Sequence, residues 1–200
     1  MCHLLLIRHA SFDGIGDRLE GRSDASLNQQ GCREAALVAS ACQNLGVAAL
    51  LSSPRRRAVE TAAVIAGAAG LDLTVAPLFD EIDYGAWTGR RFLDLEGDPG
   101  WREYNSRRKA ARIPNGERLE AVTARVRRGL NDVRRRYPDS RVVIVTHAEI
   151  IRCALLLAAS LSWNHWARFH LSSGSVTLLS WCGTWVARGI GLAPSRLREA

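Results

Sequence analysis

The sequence predicts a three-layer α/β/α sandwich built on a largely parallel sheet. Three observations carry that expectation. Short apolar runs alternate with longer segments of helical spacing, the rhythm of strand–helix–strand units. Glycine, proline, serine and aspartate punctuate the boundaries between them. Two of the apolar runs, Leu4-Leu5-Leu6-Ile7-Arg8-His9 and Val142-Val143-Ile144-Val145-Thr146-His147, each end in a histidine. Sites in parallel sheets form beyond the carboxyl ends of the strands, so this repetition is the first hint of chemistry.

The elements follow in order. Cys2 to Ile7 reads as a buried strand, and Asp13 to Ser26, rich in Gly, Asp and Ser, reads as loop. Leu27 to Leu45 has helical spacing with Gly46 as its expected C-cap, and Val47 to Leu51 is a second strand. Ser53-Pro54 predicts a helix start, with serine as N-cap and proline at the first helical position; Gly70 stops that helix. Leu71 to Ala76 alternates like a strand. Residues 85–115 hold Gly85, Gly89, Gly97, Pro99, Gly100, Pro114 and two tryptophans, and read as a loop-rich excursion with one or two helices. Glu117 to Tyr137 is a long basic helix ended by Pro138, and Val142 to Val145 is a central strand. Glu149 to Leu161 is the next helix, and Ser175 to Trp181 with Thr184 to Ile190 form a closing hairpin around Cys182-Gly183. The expectation is a single domain over residues 1–200, with the excursion covering the substrate.

Composition narrows the function. The chain is 47% hydrophobic and 24% charged, a globular balance that argues against disorder. The longest apolar run, Cys153 to Ala159, falls well short of the roughly 20 residues that a membrane helix needs, so no membrane partner is expected. Met1 runs directly into a strand-like segment, and Cys2, Cys32, Cys42, Cys153 and Cys182 show no disulfide or C-x-x-C spacing. Both features predict a cytoplasmic protein with reduced thiols. No cluster has metal-ligand spacing, so neither a metal nor another cofactor is expected. The net charge of +7 comes almost wholly from arginine. Most of that excess reads as a solvated surface, but arginine forks also bind phosphate. The run Arg134-Arg135-Arg136 has no interleaved aromatics, which argues against nucleic acid as a partner.

A histidine at a strand end is, by itself, more often a hydrogen-bonded structural residue than a catalyst. Its company changes the reading. Arg8 precedes His9, and both reach one ligand only where the strand ends and the backbone turns. Ser52-Ser53-Pro54-Arg55-Arg56-Arg57 places arginines at a helix N-terminus, an anion site, although Arg56 and Glu60 also have the spacing of an exposed pair. Asp80, Glu81 and Asp83 lie beside Tyr84 and Trp87. A carboxyl group against an aromatic wall has its pKa raised and serves as a general acid. The residue pattern does not choose among the three acids.

These residues together resemble the histidine phosphatase superfamily, the phosphoglycerate mutase-like fold. Arg8-His9-Ala10 is similar to its Arg-His-Gly signature, and Gly21, Asp24, Leu27 and Gly31 keep the spacing of its next segment. Ser52-Ser53 with Arg57-Ala58 and Thr61-Ala62, then Glu81 with Tyr84-Gly85, Trp87 and Gly89, resemble its helix start and acid-bearing segment. Pro114-Asn115-Gly116-Glu117 and Val143 to Arg152 complete six motifs in family order. The resemblance implies that His9 becomes phosphorylated and that Arg8, Arg57 and His147 hold the phosphoryl oxygens. It also implies Glu81 as the acid, with Ser11 and the Ala148 backbone near the substrate. Alanine replaces the common glycine at Ala10 and Ala148, so the backbone there must keep φ negative. Phe12 and Ile15 occupy places where many relatives carry phosphate-binding polar residues, which leaves Ser11 or Arg18 to substitute.

The implied function is a metal-independent phosphatase acting on a small phosphorylated substrate. Trp101 and the Pro114–Glu117 turn look somewhat like the α-ribazole phosphatases. A cofactor-dependent phosphoglycerate mutase is the alternative within the family, although mutases carry a longer excursion. A weakly catalytic module that binds a phosphorylated ligand is the alternative outside it. His9 is expected at the solvent-facing sheet edge. Trp163, Trp166, Trp181 and Trp185 suit a core or an interface, so the sequence leaves the oligomeric state unknown and a dimer open.

Overall fold

A computed structural model describes residues 1–198. Its sheet contains β1 (His3–Arg8), β2 (Val47–Ser52), β3 (Leu73–Val75), β4 (Arg141–Thr146), β5 (Val176–Trp181) and β6 (Trp185–Leu192). The strand order is β3-β2-β4-β1-β5-β6. The first four strands in that order run parallel, and β5 and β6 pair antiparallel at one side. Among the described residues six α-helices accompany them: α1 (Gln29–Cys42), α2 (Arg56–Ala69), α3 (Phe92–Leu95), α4 (Pro99–Ser106), α5 (Leu119–Arg136) and α6 (Ala148–Ala158).

The three layers follow from the two-residue period of a strand. Leu4 and Leu6 of β1 and Val142 and Ile144 of β4 enter one core with Val122, Val126 and Leu130 of α5 and Ile150 of α6. Leu5, Ile7, Val143 and Val145 enter the other, with Val38 of α1 and Ala58, Ala62 and Ile65 of α2. Strands apolar on both faces need a layer of helices on each side. Cys2, Cys42 and Cys153 are buried, Cys32 and Cys182 are exposed, and none forms a disulfide.

Boundaries shift where side chains find other work. The helix expected from Leu27 starts at Gln29, because the Asn28 side chain caps it by accepting from Gly31 N–H at 2.8 Å. Leu27 instead bridges to Phe12. Gln43, not Gly46, closes that helix. The expected Ser53 cap and Pro54 start are also displaced: Arg55 holds the N-cap position and α2 begins at Arg56. Ser53 is engaged by His147 and Asp80, which removes it from capping. Gly70 does stop α2, in the left-handed conformation. The excursion holds α3 and α4, and Trp87, Trp101 and Tyr104 pack on one another there, with ring centroids 5.4–5.7 Å apart. Gly31 permits one close approach that matters: a Cβ there would lie 1.9 Å from Ser11 O. The turn after β1 therefore rests directly on α1.

Candidate active site

β1 and β4 are adjacent and parallel, with Arg8 opposite Thr146 in the register. The ladder continues one step beyond the strands, where His9 N–H donates to Thr146 O at 2.8 Å. Both histidines therefore leave the sheet at the same edge, with ring centroids 5.1 Å apart. Thr61 steadies the turn: its hydroxyl accepts from Ala10 N–H at 3.1 Å and donates to Arg57 O at 2.7 Å. Among the described residues only Asn115 and Ser160 are non-glycine residues with positive φ, so Ala10 and Ala148 have ordinary backbones. His9 is only 3% exposed, contrary to the expected solvent-facing edge, because Phe12, Arg57 and His147 close over its ring.

Arg57 joins the two histidines. It lies in the first turn of α2, which follows directly from β2 on the other side of β4. Its Nε donates to His9 Nε2 at 3.2 Å and its Nη2 to His147 Nδ1 at 3.2 Å. Nη2 also donates to Gly21 O at 2.6 Å, and Nη1 to Ser23 O at 3.3 Å. A guanidinium has donors only, so each ring nitrogen facing it carries a lone pair. The remaining nitrogens carry the protons. His9 Nδ1–H donates to Ala10 O at 2.9 Å, and His147 Nε2–H donates to Ser53 Oγ at 2.7 Å. Arg56 points away and pairs with Glu60 at 2.8 Å, and Arg55 pairs with Asp80 at 2.9 Å. One arginine of the three thus enters the centre.

The structure also separates the three acids. Asp80 accepts from Arg55 Nε and from the Glu81 N–H at 2.7 Å, and the Arg22 guanidinium lies 3.4 Å away as an ion-pair partner. Asp83 turns outward and accepts from Gly85 N–H at 2.9 Å. Glu81 is the buried acid facing the histidines, with Oε2 3.7 Å from His147 Nδ1 and Oε1 accepting from Ile82 N–H at 2.9 Å. Burial pushes its pKa up to about 7, with the Arg57 charge opposing. Burial, then the charges of Arg57 and Arg8, holds His9 well below the usual histidine range. Burial, Arg57 and His9 do the same for His147. The centre thus combines a neutral imidazole with a bare Nε2 and a carboxyl group protonated near neutrality.

Arg8 donates to Leu171 O at 2.6 Å, and its Nε is buried without a hydrogen-bond partner. The charges that act on it are Arg152, Glu81, Glu149 and Arg57. Ala148 opens α6 directly after His147, so its N–H is one of the free donors of a helix N-terminus. Ser11 is the exception among the expected residues. Its hydroxyl donates to Glu34 at 2.9 Å and its N–H to the same carboxylate at 2.8 Å, which ties it to α1 and away from the histidines. Arg18 is no substitute, since it donates to Gly89 O and pairs with Asp17 at the surface.

Sequence reasoning named Glu117 and Arg152 only as motif positions and missed the contacts around them. Glu117 holds Arg125 at 2.8 Å and Arg22 at 3.1 Å, and Arg125 donates to the backbone oxygens of Leu78 and Asp80. Glu149 pairs with Arg152 and with Arg108, whose guanidinium lies over the Tyr104 and Trp166 rings. The helical spacing of Glu149 and Arg152 was a usable signal. Arg108 has no periodic context that marks it. Among the described residues no three His, Cys, Asp or Glu side chains converge as a metal site, and no helix is long and apolar enough to cross a membrane.

Comparison with known proteins gives the family. A sequence model of the histidine phosphatase superfamily (branch 1) matches residues 4–187. A bifunctional protein of Mycobacterium tuberculosis is 33% identical over 178 residues, 88% of this chain and 49% of its own length. The chain thus spans about half of that relative. A probable phosphoglycerate mutase of Cronobacter sakazakii is 30% identical over 94% of this chain and 90% of its own. Among solved structures, a mycobacterial glucosyl-3-phosphoglycerate phosphatase in complex with VO3 superposes with a TM-score of 0.85. It is 26% identical and covers 94% of this chain and 98% of its own.

Proposed function

The chain belongs to the histidine phosphatase superfamily, and from that premise we propose that it hydrolyses small phosphomonoesters through a phosphohistidine on His9. The observation that carries the reading is Arg57 lying between His9 Nε2 and His147 Nδ1. A guanidinium there holds a phosphoryl group against a ring nitrogen that already has its lone pair free. Phosphoryl transfer needs positioning and positive charge more than covalent help, and these residues supply both.

The steps follow. His9 Nε2 attacks phosphorus as the P–O bond to the leaving group lengthens in line. Arg8, Arg57, His147 and the Ala148 N–H hold the equatorial oxygens. Glu81 gives its proton to the leaving oxygen, which departs as the alcohol. The Glu81 carboxylate then takes a proton from water as that water attacks the phosphohistidine, releasing phosphate and restoring the enzyme. No metal is needed in this scheme. Five unpaired cysteines support a cytoplasmic setting.

The substrate class is small and phosphorylated. Resemblance around Trp101 and the Pro114–Glu117 turn favours α-ribazole phosphate, and likeness to the mycobacterial enzyme adds glucosyl-3-phosphoglycerate as a candidate. A second reading, phosphoglycerate mutase, is favoured by the burial of His9, since a mutase must shelter its phosphohistidine from water. It is opposed by the short excursion, in which α3 and α4 pack their aromatic residues against one another.

The deciding experiment is a phosphomonoester panel assayed for released phosphate, with 3-phosphoglycerate, α-ribazole phosphate, glucosyl-3-phosphoglycerate, sugar phosphates and nucleotides. We expect turnover of at least one member, inhibition by vanadate, and activity unchanged by EDTA. Isomerisation of 3-phosphoglycerate outpacing phosphate release from every compound would establish the mutase instead. Loss of activity in EDTA with recovery on adding a divalent ion would overturn the mechanism.

A further inference from the structure

We infer that Ser53 and Asp80 form a relay that fixes the tautomer of His147 and holds its cationic form when a phosphoryl group is bound. The inference rests on the proposed reaction only for its consequence, since the relay itself is a matter of hydrogen-bond donors and acceptors. Neither residue is placed to touch the substrate, so both are positioning residues.

The direction of each hydrogen bond follows from the group in the chain that can only donate. Arg57 Nη2 can only donate, so His147 Nδ1 accepts, at 3.2 Å. The proton of the neutral ring is therefore on Nε2, and Ser53 Oγ accepts it at 2.7 Å. Ser53 Oγ also accepts from Arg55 N–H at 3.3 Å, which uses its second acceptor site. Its own hydrogen must then go to the remaining neighbour, Asp80 Oδ1, at 3.3 Å. That oxygen is fixed in turn by Arg55 Nε at 2.9 Å and the Glu81 N–H at 2.7 Å. Ser53 has no accessible surface and Asp80 very little, so water does not compete for these groups.

A hydroxyl group is a neutral rotor that donates or accepts as its surroundings dictate. Asp80 removes that choice. With its hydrogen held by the carboxylate, Ser53 presents only a lone pair to His147 Nε2–H. A ring so held keeps Nδ1 as the position that gains a proton, and Nδ1 is the atom facing Arg57 and Glu81. The charges and titratable groups around His147 are Arg57 from α2, Arg55 before it, His9 beyond β1, Arg125 from α5, and Glu81. The nearest cations oppose a charged ring, so an entering phosphoryl dianion and the Ser53–Asp80 acceptor together offset them. Asp80 also orders the Glu81 backbone, which links the acid and the second histidine through one carboxylate.

The test reads tautomers directly, by long-range ¹H–¹⁵N correlation in the histidine-labelled full chain, free and with vanadate. In the wild type we expect His147 protonated at Nε2 and His9 at Nδ1, and His147 doubly protonated with vanadate. Asp80→Asn offers an amide N–H to Ser53 and turns the hydroxyl toward His147, so the neutral His147 population should move toward Nδ1–H. Ser53→Ala should lose the doubly protonated form at neutral pH. In both variants the His9 pattern should stay as in the wild type, and kcat should fall by roughly tenfold or more with KM within about twofold. Wild-type His147 found as the Nδ1–H tautomer would overturn the relay with no variant needed. So would a wild-type His147 pattern in both variants. Because the tautomers are read without turnover, an inactive wild-type protein would count against the proposed reaction and leave the relay to be judged on the spectra.

Discussion

The ends of β1 and β4 are alike in sequence and position, yet the two histidines they carry are held in opposite ways. His9 gives its Nδ1 proton to the Ala10 carbonyl, a backbone group one residue away. His147 gives its Nε2 proton to Ser53, a side chain from another strand end, backed by Asp80. Both bare nitrogens then face the same guanidinium, that of Arg57. A short local bond to a carbonyl leaves the buried Nε2 with its lone pair free for the attack on phosphorus that we propose. A longer side-chain relay leaves Nδ1 free to gain charge. In the proposed reaction the same residue type serves as nucleophile in one place and cationic anchor in the other, and the difference lies in what holds the far side of each ring.

The comparison breaks most severely at His9. His9→Ala removes the proposed nucleophile, and kcat is expected to fall by about 10⁴-fold or more. Phosphate release and circular dichroism should be followed together, since His9 is buried and the fold must be seen to survive. A folded variant retaining more than a few per cent of activity would remove His9 from the role.

Glu81 sharpens the comparison by separating leaving groups. Glu81→Gln should slow alkyl phosphates by about 10³-fold and nitrophenyl phosphate far less, because the latter departs with little protonation. The pH dependence has a definite sign. A carboxyl group raised to about 7 is protonated below that pH and loses its proton above it. The alkyl phosphate rate should therefore hold below about pH 7 and fall roughly tenfold per unit above it. The limb should vanish in Glu81→Gln. His9, held well below its ordinary range, stays neutral across the same window and adds no limb of its own there. Equal losses on both substrates would leave Glu81 a structural part.

The smallest of these effects is expected at His147. His147→Ala keeps the proposed nucleophile and removes a proposed donor to the developing charge, with an expected loss of about 10²-fold in kcat. A loss equal to that of His9→Ala would mean the two histidines do not divide the work as their hydrogen bonds imply.

Much of this architecture was legible beforehand because it depends on local patterns. Alternating apolar runs predict buried strands, and paired strand-end histidines predict one edge if the strands are neighbours. Glu81 and Arg57 were narrowed only by resemblance to a family, since Asp80 and Asp83, or Arg55 and Arg56, carry the same chemistry in the sequence. Ser53 was misread for a simple reason. A serine before proline at a helix start is a good local cap, but a buried imidazole with no other acceptor outbids a helix N–H that water can satisfy. Ser11 failed similarly, since Glu34, far along the chain, claims its hydroxyl.

The sequence by itself determined the layers, the order of elements and the set of residues from which a site had to be drawn, because periodicity and turn chemistry act over a few residues. The tertiary structure decided which arginine entered the centre, which acid was buried, and which nitrogen of each histidine kept its proton. Those outcomes depend on desolvation and on donors that meet only after residues 48, 90 and 94 positions apart are brought together.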